Sequence, residues 1–134
     1  MTIKREFSYK IYYKDTDAGG VLYYANYLCF LEKARTDFFE QCGITAKSFH
    51  NLGWFLAVKK IDCEYLKPVF YGDTIKVTID INSLKRTNLT VNYSIYNENS
   101  SLIFKGSTLL VSVDTEMKII KLPHQLIKFL KEFV

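Results

Sequence analysis

The chain has 134 residues, 49% apolar and 24% charged, a length that supports one hydrophobic core and is too short for two ordinary domains. Its net charge of +4 comes from lysines interspersed with glutamates, so it requires neither nucleic acid nor an anionic membrane surface as partner and suits a small anionic ligand. Three cysteines, Cys29, Cys42 and Cys63, without Cys-x-x-Cys spacing, argue against a disulfide framework or a metal site and for a reducing, cytoplasmic setting.

The opening segment MTIKREFSYK lacks the apolar centre of a secretory signal, and no apolar run reaches the ~20 residues of a membrane span. A protein that neither crosses a membrane nor leaves the cytoplasm is expected. Phe7, Tyr9, Ile11 and Tyr13 alternate with polar neighbours, the period of a half-buried first strand. Residues 24 to 42 change period. Leu28, Leu31, Ala34, Phe38 and Cys42 recur at three and four, and Gly43 stands where a left-handed helix cap belongs. The first half of that helix, YYANYLCFLE, is apolar on nearly every side, which predicts a helix start surrounded by protein.

Alternation returns at Ala57 to Tyr65, Ile75 to Ile81 and Leu89 to Ile95, and a run from Leu102 to Val113 completes five strands. Short turn segments at Lys67-Pro68, Tyr71-Gly72-Asp73, Lys85 to Asn88 and Asn97 to Ser101 predict that the last four strands form a meander. A short helix from Pro123 to Phe133 would lie outside the sheet. The fold class is therefore α+β: a single domain over 1–134, with a five-stranded antiparallel sheet curled round one long helix and a C-terminal helix added.

Between the first strand and the long helix stands YKDTDAGGVLYYANY, with Asp15 and Asp17 ahead of Gly19 and Gly20. The plainest reading is a turn whose side-chain oxygens accept backbone N–H groups. A calcium loop opening Asp-x-Asp is disfavoured, because the glutamate such a loop needs at its twelfth position is here Asn26. An aspartyl-phosphate phosphohydrolase is disfavoured because that chemistry sits on a parallel sheet and these strands alternate like antiparallel ones. The remaining reading is a carboxylate just ahead of a buried helix, whose unpaired N–H groups and dipole favour a negative oxygen.

The run YYKDTDAGGVLYYANYLCFLEKARTDFF at 12 to 39, with IDCEYLKPVFYGDTIKV at 61 to 77 and LLVSVD at 109 to 114, resembles the hot-dog-fold acyl-CoA thioesterases of the 4-hydroxybenzoyl-CoA thioesterase type. The resemblance is greatest to the branch associated with the bacterial Tol-Pal cluster. It implies hydrolysis of an acyl-CoA thioester without metal or cofactor, coenzyme A being part of the substrate. It implies Asp17 as nucleophile or general base, and the backbone N–H of Tyr24 as donor to the oxyanion. Gly20 and Tyr23 would stand on the substrate side, and Glu32 would be either an accessory carboxylate facing the acyl group or a charge partner of Lys33 or Arg35. Lys85 and Arg86 would meet the phosphates of coenzyme A, with Lys59 and Lys60 as weaker candidates, while Asp15 would cap the loop. A homodimer or homotetramer with sites at the interface is implied, acting on acyl-CoA or on an acyl carrier protein.

Many Tol-Pal-associated relatives carry His where this chain has Tyr24, whereas the 4-hydroxybenzoyl-CoA enzymes carry Tyr. A thiol of pKa near ~8.5 leaves at neutral pH without strong acid assistance, so a catalytic histidine is not required. His50 and His124 are expected at the surface, which weakens the alternative of a hot-dog hydratase or dehydratase relying on His with an acid. A non-catalytic acyl-CoA or acyl-carrier-protein binding module is the other alternative.

Overall fold

A computed structural model describes residues 2–43 and 45–134. The strands are β1 (Glu6–Lys10), β2 (Phe55–Tyr65), β3 (Thr74–Leu84), β4 (Asn88–Tyr96) and β5 (Leu102–Val113). The helices are α1 (Tyr27–Phe39), α2 (Ala46–Asn51) and α3 (His124–Leu130). Single turns of 3-10 helix flank α1 at Tyr24–Asn26 and Glu40–Cys42, so the helical stretch runs unbroken from 24 to 42 and stops at Gly43 as its spacing requires.

The five strands form one antiparallel sheet in the order β1-β3-β4-β5-β2. Only β3, β4 and β5 are a meander. The expectation that all of the last four strands follow one another is corrected at β2, which pairs with the far side of β5 instead of with β3. The reason lies in the segment between β2 and β3, whose backbone bonds go to the acidic loop rather than to a hairpin: Val69 O accepts the Leu22 N–H at 2.7 Å and the Tyr71 N–H donates to Gly20 O at 3.1 Å. Tyr13, counted above with the first strand, instead opens a 3-10 turn at Tyr13–Asp15.

The core lies between α1 and the concave face of the sheet. Alternate residues of β3 and β4 point inward, and Tyr27, Phe30, Leu31, Ala34 and Phe38 of α1 meet them, all fully or nearly fully buried. Each such apolar side chain contributes roughly 1.5–3 kcal/mol by leaving water. Helix and sheet approach closely at Gly106, where an added Cβ would stand 2.8 Å from the Phe104 ring and 3.3 Å from Leu31. The β5 position opposite the large Tyr93 therefore has no room for a side chain.

Two helical features differ from expectation. A short α2 occupies 46–51, capped by Thr45 Oγ1 accepting the Ser48 N–H at 3.2 Å; at six residues it is too brief for periodicity to show. The C-terminal helix does not lie outside the fold. Leu126 and Leu130 are fully buried, and Phe129 and Phe133 pack on Phe38 with ring centroids 5.4 Å away in both pairs, closing the far end of the cleft beneath α1.

Candidate active site

The loop from Asp15 to Leu22 is a tight hairpin tied at its base by the Thr16 to Leu22 bridge. At its tip the Gly20 N–H donates to Asp17 O at 3.0 Å and the Asp17 N–H to Val21 O at 2.9 Å. Gly20 takes φ 76° with the Tyr71 ring 3.5 Å from where a Cβ would be, so both conformation and space call for glycine there. Its carbonyl accepts the Tyr71 N–H at 3.1 Å.

The two acids of this hairpin serve different purposes. Asp15 is buried, accepting the Tyr12 N–H at 2.9 Å through Oδ2 and lying 3.1 Å from Lys14 Nζ through Oδ1. Burial by itself would raise its carboxyl, but the Tyr12 N–H and the Lys14 ammonium, with help from Lys33, outweigh burial and hold it below the ordinary carboxylate value. This is the capping role expected of it. Its backbone carbonyl also accepts the Tyr23 N–H at 3.2 Å and Asn26 Nδ2 at 2.9 Å, fastening the hairpin to the helix start.

Asp17 is exposed. Its Oδ1 accepts two N–H groups of its own turn, from Gly19 at 2.8 Å and Val21 at 3.3 Å. Oδ2 has no protein partner among the described residues and is free to meet a ligand. The plain turn reading thus holds for one oxygen and leaves the other unused.

Tyr24 opens the 3-10 turn that leads into α1. The turn's first bond is from the Asn26 N–H to Tyr23 O at 2.8 Å, so the N–H groups of Tyr24 and Ala25 stand ahead of the ladder with no helical acceptor. Tyr24 O is held by the Tyr65 hydroxyl at 2.8 Å. The Tyr65 ring in turn packs edge-on against Tyr27 at 5.0 Å and Phe104 at 5.2 Å. Burial first, and the neighbouring Tyr65 second, push the Tyr27 hydroxyl above its usual value.

A fully encased helix start is not what the fold provides. Tyr24 is 62% exposed and Tyr23 43%, and Ala25 and Cys29 are exposed as well. The sheet covers only one side of α1, because β2 is an edge strand whose inward-facing Val58 and Ile61 stay 46% and 39% exposed. Glu32 is also exposed and lies within ion-pair distance of neither Lys33 nor Arg35. Instead Lys33 Nζ sits over the Phe30 ring at 4.6 Å, and Arg35 Nη1 donates to the Tyr93 hydroxyl at 3.0 Å.

Asp17, Gly20, Tyr23 and Tyr24 are brought together at one end of the sheet. Lys85 and Arg86 are not with them, since they follow the far end of β3, whose eleven residues span roughly 35 Å. Lys59 and Lys60 are exposed on β2, where a register shift falls between Val58 and Lys60. His50 is exposed in α2, stacked on Phe55 at 4.6 Å, and His124 is exposed at the start of α3. None of the three cysteines forms a disulfide. Among the described residues no group of three His, Cys, Asp or Glu is arranged to hold a metal, and no helix is long and apolar enough to cross a membrane.

Sequence reasoning missed two supports of the site, Tyr65 and Asn26. Tyr65 shares the parity of Ile61 and Cys63 and so faces α1, a signal present in the alternation. Asn26 is of a type common at helix starts, but there it donates to Asp15 O rather than accepting, which nothing in the sequence foretells.

Residues 12–131 match a family model described as the thioesterase-like superfamily. The acyl-CoA thioester hydrolase YbgC of Escherichia coli is 32% identical over 124 residues, covering 92% of this chain and 92% of its own. The 1,4-dihydroxy-2-naphthoyl-CoA hydrolase of Thermosynechococcus vestitus is 31% identical over 122 residues, covering 90% of this chain and 79% of its own. Among solved structures, a hypothetical protein of Aquifex aeolicus superposes with a TM-score of 0.87 at 26% identity, over 92% of this chain and 96% of its own.

Proposed function

The chain belongs to the thioesterase-like superfamily, and on that premise we propose that it hydrolyses an acyl-CoA thioester to the free acid and coenzyme A. The observation that carries this reading is the pairing of a half-used carboxylate with unused amides. Asp17 commits Oδ1 to its own turn and keeps Oδ2 open on the same loop that leads to the unpaired N–H groups of Tyr24 and Ala25.

Asp17 attacks the thioester carbonyl carbon, or takes a proton from a water that does so. The developing oxyanion is met by the Tyr24 N–H, a preorganised donor that costs no rearrangement when charge appears. Collapse of the tetrahedral intermediate expels the coenzyme A thiolate, a leaving group that needs little acid assistance near neutral pH. With water as the attacking group the free acid forms directly; after direct attack, water cleaves the acyl-aspartyl anhydride to the free acid and returns the Asp17 carboxylate. Tyr23 and Gly20 border the acyl group, and the acyl carrier is coenzyme A or the related thiol of an acyl carrier protein.

A second copy of the chain completes the site in this reading. The β2 edge is long, unpaired and apolar on its concave side, a surface that single chains rarely leave open. Antiparallel pairing of two β2 edges would bring the partner's β3–β4 turn to the end of the sheet where Asp17 lies. That would supply a basic turn for the phosphates, which Lys85 and Arg86 of the same chain are too distant to provide.

Release of free thiol from acyl-CoA by purified protein tests the reaction. Asp17→Asn is expected to lower kcat by about 100-fold or more while leaving thermal unfolding unchanged. A variant that turns over at the parent rate would refute the assignment. Incorporation of oxygen-18 from labelled water into the Asp17 carboxylate during a single turnover distinguishes direct attack from water activation.

A further inference from the structure

A cavity of about 220 Å³ lies between α1, α2 and the first residues of β2, with apolar walls that include Phe49, Trp54 and Leu56. Arg35 lines it and is half-buried. Its Nη1 donates to the Tyr93 hydroxyl at 3.0 Å, and that hydroxyl lies 2.8 Å from Thr108 Oγ1. Tyr93 and Thr108 are each 2% exposed, so the guanidinium is seated on a buried polar pair rooted in β4 and β5.

Among the described residues Arg35 forms no ion pair. Glu32, Glu40 and His50 line the same cavity but are exposed, and neither carboxylate reaches ion-pair distance of the guanidinium. A guanidinium offers five N–H donors, and a partly desolvated cation with donors to spare favours an anion that fits its fork. Tyr24, Leu28, Glu32 and Arg35 follow one another at four, four and three, so they share one side of the helix. The rise from Tyr24 to Arg35 is about 16 Å, shortened because the arginine side chain leans back toward the helix N-terminus.

We infer that Arg35, positioned by Tyr93, recognises a carboxylate at the far end of the acyl group, so that the substrate class is a medium-chain acyl-CoA bearing a terminal carboxylate. This rests on the thioesterase reading, which fixes the thioester carbonyl at Tyr24 and leaves the acyl chain to run along that side of α1.

The test pairs octanoyl-CoA with suberyl-CoA, equal in chain length and differing in the terminal carboxylate, and pairs the free acids octanoate and suberate in binding titrations. The wild-type chain should prefer the dicarboxylic member by about tenfold or more in kcat/KM and in affinity. Arg35→Met should erase that preference, Arg35→Lys should restore part of it, and Tyr93→Phe should weaken it chiefly through KM for suberyl-CoA. Equal binding of suberate and octanoate by the wild type, or a preference that survives Arg35→Met, overturns the inference whatever the catalytic result. Thiol release from neither ester, with suberate still preferred in the titrations, overturns the thioesterase reading and leaves the Arg35 site standing.

Discussion

In β3 and β4 every inward residue from Ile75 to Ile81 and from Leu89 to Ile95 is at most 4% exposed, whereas on β2 the inward-facing Val58, Ile61 and Tyr65 are 46%, 39% and 45% exposed. β2 is eleven residues long, as β3 is, and has a comparable alternation. The difference is what lies above them: α1 sits squarely over β3 and β4, and meets β2 only at its two ends, through Tyr27 on Tyr65 and across the cavity beside Leu56. Periodicity reports which side chains share a face, and only the placement of a second layer decides whether that face is dry. The candidate site lies along the border between the covered and the uncovered region.

The covered side can be broken at Phe104, which stacks on Tyr27 at 5.1 Å and fills the space that Gly106 leaves. Phe104→Ala should cost about 3–5 kcal/mol of unfolding free energy, read from urea denaturation, and should loosen Tyr65 and the helix start with it. The border is probed next. Tyr24→Pro deletes one N–H at a first helical position, where proline is tolerated, and should lower kcat by about 100-fold with little change in stability. Tyr24→Phe should stay near the parent rate, because the proposed donor is the backbone.

The uncovered side is sharpened by Ile61→Lys. In an isolated chain this change at a partly exposed edge should alter stability by no more than about 1 kcal/mol. If two β2 edges pair, it should shift sedimentation toward monomer and remove activity together. A variant that stays oligomeric and active would place the interface elsewhere.

The smallest effect is expected at Asp15. Its carboxyl is held below the ordinary value, so it contributes stability that is present above the unfolded-state pKa of about 3.9 and lost as pH falls through the folded value. Asp15→Asn should cost about 1 kcal/mol near neutral pH and flatten the acid limb of the stability profile, measured by denaturation between neutral pH and mild acid. Added salt should weaken the part due to exposed Lys14 and leave the Tyr12 hydrogen bond intact.

Much of the fold was legible because its signals are local. Strand periods, the helical spacing from Leu28 to Cys42 and the stop at Gly43 depend on neighbours within a few residues. The fate of β2 was not, because the choice between pairing with β3 and crossing to β5 depends on residues 66–73 meeting the acidic loop, a contact distant in sequence. The two aspartates divide similarly. Their presence ahead of the helix marked the loop and a capping role was expected of Asp15, but only the 3-10 turn at Tyr13–Asp15 shows Asp15 buried and Asp17 exposed.

The sequence by itself determined the five strands, the long helix, the α+β class and the place of two carboxylates ahead of that helix, since these follow from side-chain type and short-range spacing. The tertiary structure alone decided strand order, which acid faces out, the seating of Arg35 on Tyr93, and the distance of Lys85 and Arg86 from Asp17. Those outcomes depend on which surfaces meet across the chain, where burial and backbone pairing outweigh the preferences of any single segment.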